Sequence, residues 1–158
     1  MSNKQRDPKL YISIKNKLLA GVAIENIMKE KIIATKVFII NKDGLILAIR
    51  RSKTDPLRPL TWDIPGGVIE FGEDPNIGII RETQEETGIV LKSPKIINVN
   101  SLNVNENMHI VRLVYYEIIS NRDVILSYEH DLYKWVSKTD FLDLDALKYL
   151  KESVKLLP

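Results

Sequence analysis

GGVIEFGEDPNIGIIRETQEETGI, residues Gly66 to Ile89, is the stretch whose reading decides the fold of this chain. Pro75 suits the first turn of a helix, where its missing N–H costs nothing. The spacing predicts a helix from Pro75 to about Thr87, with Gly88 as its C-terminal stop. On that helix Glu82, Glu85 and Glu86 are related by steps of three and four, so their Cβ atoms lie about 5–6 Å apart. Three carboxylates on one face repel one another and cost helix stability. The arrangement makes sense if divalent cations neutralise it, and dense hard oxygen donors suit Mg²⁺ or Mn²⁺ better than zinc. Gly66 and Gly67 let the backbone approach closely and can expose a carbonyl. Glu73 sits just before the helix, where the dipole favours its charge. Arg81 can hold a neighbouring acid by a charge-assisted bond. A run of Glu on a helix is by itself more often a solvated face, so the flanking positions have to decide.

Working outward, Lys31 to Ile40 is rich in Ile and Val and reads as a strand, Asn41 to Gly44 as a turn, and Leu45 to Arg50 as the returning strand. Arg51 to Leu60 holds Pro56 and Pro59 and reads as a loop. Trp62 to Ile64 is a short strand ending at Pro65, and Val68 to Glu70 is a candidate for another. Lys95 to Val104 and His109 to Ile119 alternate as a strand pair about a turn at Asn105–Asn107, and Tyr133 to Val136 is a last strand. Asp140 to Leu157 reads as one closing amphipathic helix, with Leu142, Leu144, Leu147, Leu150, Val154 and Leu157 near one face. Lys15 to Lys29 has apolar residues at helical spacing, weakened by Gly21.

The bulk numbers limit the function classes. A chain of 158 residues has the usual size of one domain, and 44% hydrophobic with 28% charged residues excludes global disorder. A net charge of +2 is too small to imply a nucleic-acid polymer or a membrane as partner. There is no cysteine, which removes disulfides, thiolate metal sites and thiol nucleophiles. The first ten residues lack the apolar core of a signal peptide, and no apolar run could span a bilayer. A soluble, cytoplasmic protein is expected.

Gly67, five residues, Glu73, seven residues, Arg81-Glu82, two residues, Glu85-Glu86, one residue, Gly88 and the apolar Ile89: this pattern resembles the signature of the Nudix family. Seven fixed identities, each at average usage of about one in fifteen, match by chance about once in 10⁸ start positions. Thr83 departs from the pattern, standing where the family more often has an aliphatic residue; its methyl can turn inward. The resemblance is strongest from Trp62 to Ile89 and extends more loosely from Lys31 to Trp135.

The resemblance implies an α/β fold, the Nudix-type α/β/α sandwich with a central mixed sheet, over residues 31–158; it does not cover residues 1–30, which the helical spacing of Lys15 to Lys29 marks as a helical extension packed on the domain or on a partner subunit. It implies a metal-dependent pyrophosphohydrolase that cleaves a phosphoanhydride of a nucleotide-type substrate by water attack on phosphorus. By that resemblance Glu82, Glu85 and Glu86 match the family's metal-binding acids, the Gly67 carbonyl a backbone ligand, and Arg81 and Glu73 the orienting residues; Mg²⁺ or Mn²⁺ is the implied cofactor. The general base is Glu82 or, as in relatives that use an acid on a loop outside the signature, Glu129. Arg50 and Arg51 are candidates to hold substrate phosphate as planar forks. Trp62, Tyr128 and Tyr133 are candidates to stack on a base, with packing as the commoner use of aromatics. His130 is read as a structural histidine. The expected partner is a small nucleotide-type diphosphate, with nucleoside tri- or polyphosphates favoured; a homodimer is compatible with the sequence. Relatives that cleave ADP-ribose often carry a Pro where this chain has Asn103, whereas Tyr128 to Trp135 resembles a segment of diadenosine polyphosphate hydrolases. A non-catalytic nucleotide sensor and an NDP-sugar or ADP-ribose hydrolase are the alternatives. Isopentenyl diphosphate isomerisation is disfavoured, because the cysteine it uses in its family is absent here.

Overall fold

The computed structural model describes residues 30–120 and 123–158. The expected helix over residues 15–29, and its packing on the domain, lie outside the described residues.

Strand β1 (Glu30–Ile40) turns back through Asn41 into β2 (Ile46–Arg51). Asn41 fixes the turn with its side chain, whose Oδ1 accepts the N–H groups of Asp43 at 2.9 Å and Leu45 at 3.0 Å, and Gly44 supplies a φ of 76°. The remaining strands are β3 (Trp62–Asp63), β4 (Lys95–Asn105), β5 (Met108–Ile118) and β6 (His130–Val136). They form one mixed sheet in the order β3-β2-β1-β5-β4, with β6 also paired to β2. The β1–β5 pair is parallel along its whole length, from Glu30↔Met108 to Ile40↔Ile118, while the other strand pairs are antiparallel.

Val37 to Ile40 is a continuous apolar run because β1 is covered on both faces. Phe38 and Ile40 point with Ile46, Ala48, Trp62 and Val114 into a core closed by Phe141, Leu150, Val154 and Leu157 from the C-terminal segment. Val37 and Ile39 point the other way, with Leu47, Ile49 and Tyr115, against Ile79 of helix α1 (Pro75–Thr87) and against Ile89 and Leu91. The α/β/α sandwich expected from the sequence is therefore the observed architecture.

Two expectations need correction. Val68 to Glu70 is not a separate strand but forms a single bridge, Val68 to Ala34. The closing segment is not one helix: it divides into α2 (Lys138–Asp143), α3 (Lys148–Ser153) and a 3₁₀ turn at Val154–Leu156. Between α2 and α3, Leu144 is extended, the Asp145 carbonyl accepts the Trp62 N–H at 2.8 Å, and Ala146 bridges Trp62. A continuous helix would have used that carbonyl itself and left a buried donor on β3 unpaired.

Candidate active site on the first helix

Helix α1 begins and ends where its sequence says. Asp74 caps it, accepting the Asn76 N–H at 2.8 Å, Pro75 follows, and Gly88 at φ 72° returns its N–H to the Gln84 carbonyl. What aims the helix is the segment before it. Pro65 to Ile69 runs beside β1 as a short ladder: Val37 N–H to the Pro65 carbonyl (2.9 Å), Thr35 N–H to the Gly67 carbonyl (2.8 Å), and Ile69 N–H to the Ile33 carbonyl (3.0 Å). This ladder sets Gly66 and Gly67 directly against the acidic face of α1.

Both glycines are there for space. Gly66 has a φ of 132°, and a Cβ on it would sit 2.2 Å from the Thr35 carbonyl oxygen. A Cβ on Gly67 would sit 2.5 Å from a carboxylate oxygen of Glu82. Gly66→Ala meets backbone rather than a movable side chain, and in a left-handed conformation. It is expected to cost at least about 3 kcal/mol by strain and displaced ladder, measured as a fall in urea midpoint. A midpoint unchanged from wild type would contradict the close approach.

The acids are held in different ways. Glu86 is 3% exposed and its Oε2 accepts the Gly66 N–H at 2.9 Å. Glu82 is 4% exposed and its Oε1 lies 2.7 Å from Nη1 of Arg81. The same Nη1 reaches Glu85 Oε2 at 3.3 Å, on the exposed side of the helix. The other edge of the Arg81 guanidinium is a two-pronged pair with Glu73, at 2.7 and 2.8 Å. That pair, ahead of the contact with Glu82, holds the guanidinium above its ordinary pKa, and Arg81 in turn holds the Glu73 carboxyl below the usual range. Arg81 thus bridges Glu73 on one edge and Glu82 and Glu85 on the other. A glycine inside a helix costs about 1 kcal/mol relative to alanine. Here Gly78 makes room for Glu73, whose carboxylate would lie 3.0 Å from an added Cβ. Nothing in the local sequence pattern marked Gly78 for this use.

As donors, the three glutamates are the hard oxygen type that Mg²⁺ and Mn²⁺ take. Among the described residues no three acidic or histidine side chains are already gathered to hold a metal ion. Glu86 is turned to the Gly66 N–H and Glu82 to Arg81. The residue types fit a hard divalent ion, and a carboxylate that accepts one such bond keeps further lone pairs for it. The Gly67 carbonyl accepts the Thr35 N–H at 2.8 Å and, at 3.4 Å, the Thr35 hydroxyl.

Beyond α1, the loop before β6 is stitched to the last turn of the helix. The Ile125 and Ser127 N–H groups reach the carbonyls of Thr87 and Glu86 at 2.9 and 3.0 Å, satisfying two helix-end acceptors. Glu129 follows two residues later, half-buried, and its carbonyl accepts the Ser52 N–H at 2.8 Å. The loop acid is thereby brought to the same end of the molecule as Glu86. His130 is buried at the start of β6, in keeping with a structural place.

The two candidate phosphate arginines are placed otherwise than as open forks. Arg50 makes a two-pronged pair with Asp131 on β6, at 2.8 and 3.2 Å. Arg51 pairs with Asp55 and, at 3.3 Å, with Asp63. Asp63 is wholly buried and also meets Arg58 at 2.9 Å and Lys36 at 3.1 Å. Burial pushes its carboxyl up, but Lys36, Arg58, Arg51 and the Ile64 N–H outweigh that and hold it well below the ordinary range. Arg50 and, through Asp63, Arg51 serve carboxylates that the sheet pairings bring to them, while Asp55 lies only four residues from Arg51. Of the aromatics, Trp62 is buried with Lys134 Nζ 5.0 Å over its ring, Tyr133 is partly exposed and Tyr128 is 85% exposed. Thr83 is fully buried, and among the described residues its hydroxyl has no hydrogen-bond partner, so the aliphatic habit of that position has a physical reason.

The family model of the NUDIX domain matches residues 30–157. The chain belongs to the Nudix family. Similar solved structures include the MutT protein of Methanosarcina mazei Go1, which superposes with a TM-score of 0.72 at 30% identity, covering 84% of this chain and 94% of that one. A MutT-like protein of Streptomyces ambofaciens is 39% identical over 77 residues, which is 49% of this chain and 45% of that protein. An ADP-ribose pyrophosphatase of Methanocaldococcus jannaschii is 35% identical over 78 residues, again 49% and 45%. The chain thus spans less than half the length of these two curated relatives. Within the Nudix domain, α1 and the glycine ladder are the parts that carry the family signature. Among the described residues no helix is long and apolar enough to cross a membrane.

Proposed function

We propose that this Nudix domain is a metal-dependent pyrophosphohydrolase that cleaves a phosphoanhydride of a nucleotide-type substrate by water attack on phosphorus. One observation carries the reading: two nearly buried glutamates, Glu82 and Glu86, and the exposed Glu85 share one face of α1, packed closely against the backbone of Gly66 and Gly67. Burying carboxylates is costly unless they are compensated, and a solvated helix face has no need to bury two of them.

In this reading Glu82, Glu85 and Glu86 hold Mg²⁺ or Mn²⁺, with the Gly67 carbonyl as a further oxygen donor. The bound ion supplies neutralisation of phosphate charge and acidification of water. Arg81, fixed by Glu73, keeps Glu82 and Glu85 aimed and screens their repulsion. Glu129 takes the proton from the attacking water, with Glu82 as the alternative base. Arg50 reaches substrate phosphate only by giving up Asp131, an exposed partner and so a weak one. Arg51 is bound into the Asp63 cluster and supports the site from behind.

Nucleoside tri- or polyphosphates are the favoured substrates, on the weak resemblance of Tyr128–Trp135 to diadenosine polyphosphate hydrolases. The methanogen relative named for ADP-ribose keeps that second class in the test. A panel of NTPs, dinucleoside polyphosphates and NDP-sugars, assayed for phosphate release with EDTA and then with Mg²⁺ or Mn²⁺, decides. Turnover is expected only with metal; full activity in chelator sinks the mechanism. Glu85→Gln and Glu86→Gln should lose most activity yet keep the fold, and Mg²⁺ should raise their melting temperatures less than that of wild type. Equal stabilisation by Mg²⁺ would mean that these residues are not ligands.

A further inference from the structure

We infer that β4 is a self-association edge, through which two copies of this chain pair antiparallel about a two-fold axis at the middle of the strand. β4 closes the sheet at one side, and among the described residues only β5 pairs with it. Exposed edges are usually blunted by charge, by proline or by shortness. This one is 11 residues long, and from Ile96 to Asn105 it carries no charged side chain. Irregularities occur between Ile96 and Asn98 and between Asn103 and Asn105, leaving Asn98 to Asn103 in regular register with β5.

The exposed apolar groups say what kind of partner fits. Val99 is 57% exposed and lies opposite Leu113, on the α1 side of the sheet. Leu102 is 46% exposed and lies opposite Ile110, on the other side. Apolar groups on both faces of one edge cannot be covered by a helix laid on either face. A strand alongside covers both, and it also satisfies the outer backbone groups of the edge, which no strand pairs among the described residues. An uncharged strand offers no charge code for a foreign partner, and its antiparallel pairing with itself brings no like charges together. An interface made by one strand from each copy is narrow, which suits a reversible dimer rather than an obligate one.

Sedimentation equilibrium of the full chain is expected to show a concentration-dependent dimer. The double variant Val99→Lys/Leu102→Lys alters only exposed side chains on the edge strand, neither of them among the candidate active-site residues. It should weaken dimerisation by more than about tenfold, since it sets charges across the pair, while leaving catalytic rate per chain unchanged. The absence of cysteine allows a second measurement. Single cysteines at Asn100, Ser101 and Leu102 bracket the axis, and at least one should oxidise to a linked dimer faster than Asp43→Cys in the distant β1–β2 turn. A wild type that stays monomeric at its highest soluble concentration overturns the inference. So does a dimer indifferent to both lysines, or a monomer whose β4 amides resist hydrogen exchange because another part of the chain covers them.

Discussion

Glu129→Gln is expected to lower kcat by about 10²–10⁴-fold, the usual range for losing a general base, while leaving the Mg²⁺ half-saturation concentration near that of wild type. The motive is where the loop goes. Its backbone is fastened to the last turn of α1 through Ser127 and Glu86, and the Glu129 carbonyl is fastened to Ser52, so the residue is positioned from both sides. A carboxylate on a loop tied by its main chain to the end of α1 can take a proton from water without being a ligand itself. Glu82→Gln should behave differently. Glu82 is nearly buried and bonded to Arg81, so its loss should weaken metal binding as well as rate. If Glu82 is the base, the pattern reverses and Glu129→Gln is nearly silent. If Glu129 also touches a second ion, its kcat and half-saturation shift together. A Glu129→Gln enzyme with wild-type kcat on its best substrate rules the base assignment out.

The parts of the molecule that were legible in the sequence are those fixed by local rules. Helix α1 was legible because its start, its stop and its acidic spacing all lie within 24 consecutive residues. The β1–β2 hairpin was legible for the same reason, through its Asp43-Gly44 turn. The closing helix was misread because leucines at 142, 144, 147 and 150 face the same core whether the chain between them is helical or extended. What breaks the helix is the Trp62 N–H, a demand made by a strand some 80 residues earlier in the chain. Arg50 and Arg51 show the same limit. Two adjacent cations are visible in sequence, but Asp131 and Asp63, which take up their donors, become neighbours only through the β2–β6 and β2–β3 pairings. Asp63 itself was passed over as part of a short strand, although an acid between buried Trp62 and Ile64 needs compensating cations, and Lys36, Arg51 and Arg58 supply them.

That cluster makes the largest prediction for stability. Asp63→Asn should destabilise the fold by about 3–5 kcal/mol, because it leaves Lys36, Arg51 and Arg58 facing one another with their shared acceptor neutralised. Against a total of about 5–15 kcal/mol for a domain, this brings the protein close to unfolding. The pH dependence separates an electrostatic cause from lost packing. In the native state the Asp63 carboxyl is held well below its ordinary range, whereas in the unfolded chain it titrates near 3.9. Below about pH 5 the unfolded chain therefore begins to bind a proton that the native state refuses. Stability from Asp63 is complete above that range and is lost as pH falls through the unfolded value toward the native one. Urea midpoints of wild type should therefore drop between pH 5 and pH 3, and those of Asp63→Asn, which has no carboxyl to protonate, should drop less. If Asp63→Asn does not fold, Lys36→Met is the milder probe: removing one cation from Asp63 raises the native pKa and should also flatten the acid limb. An acid limb identical in wild type and variant would mean that Asp63 is not the group whose protonation opens the fold.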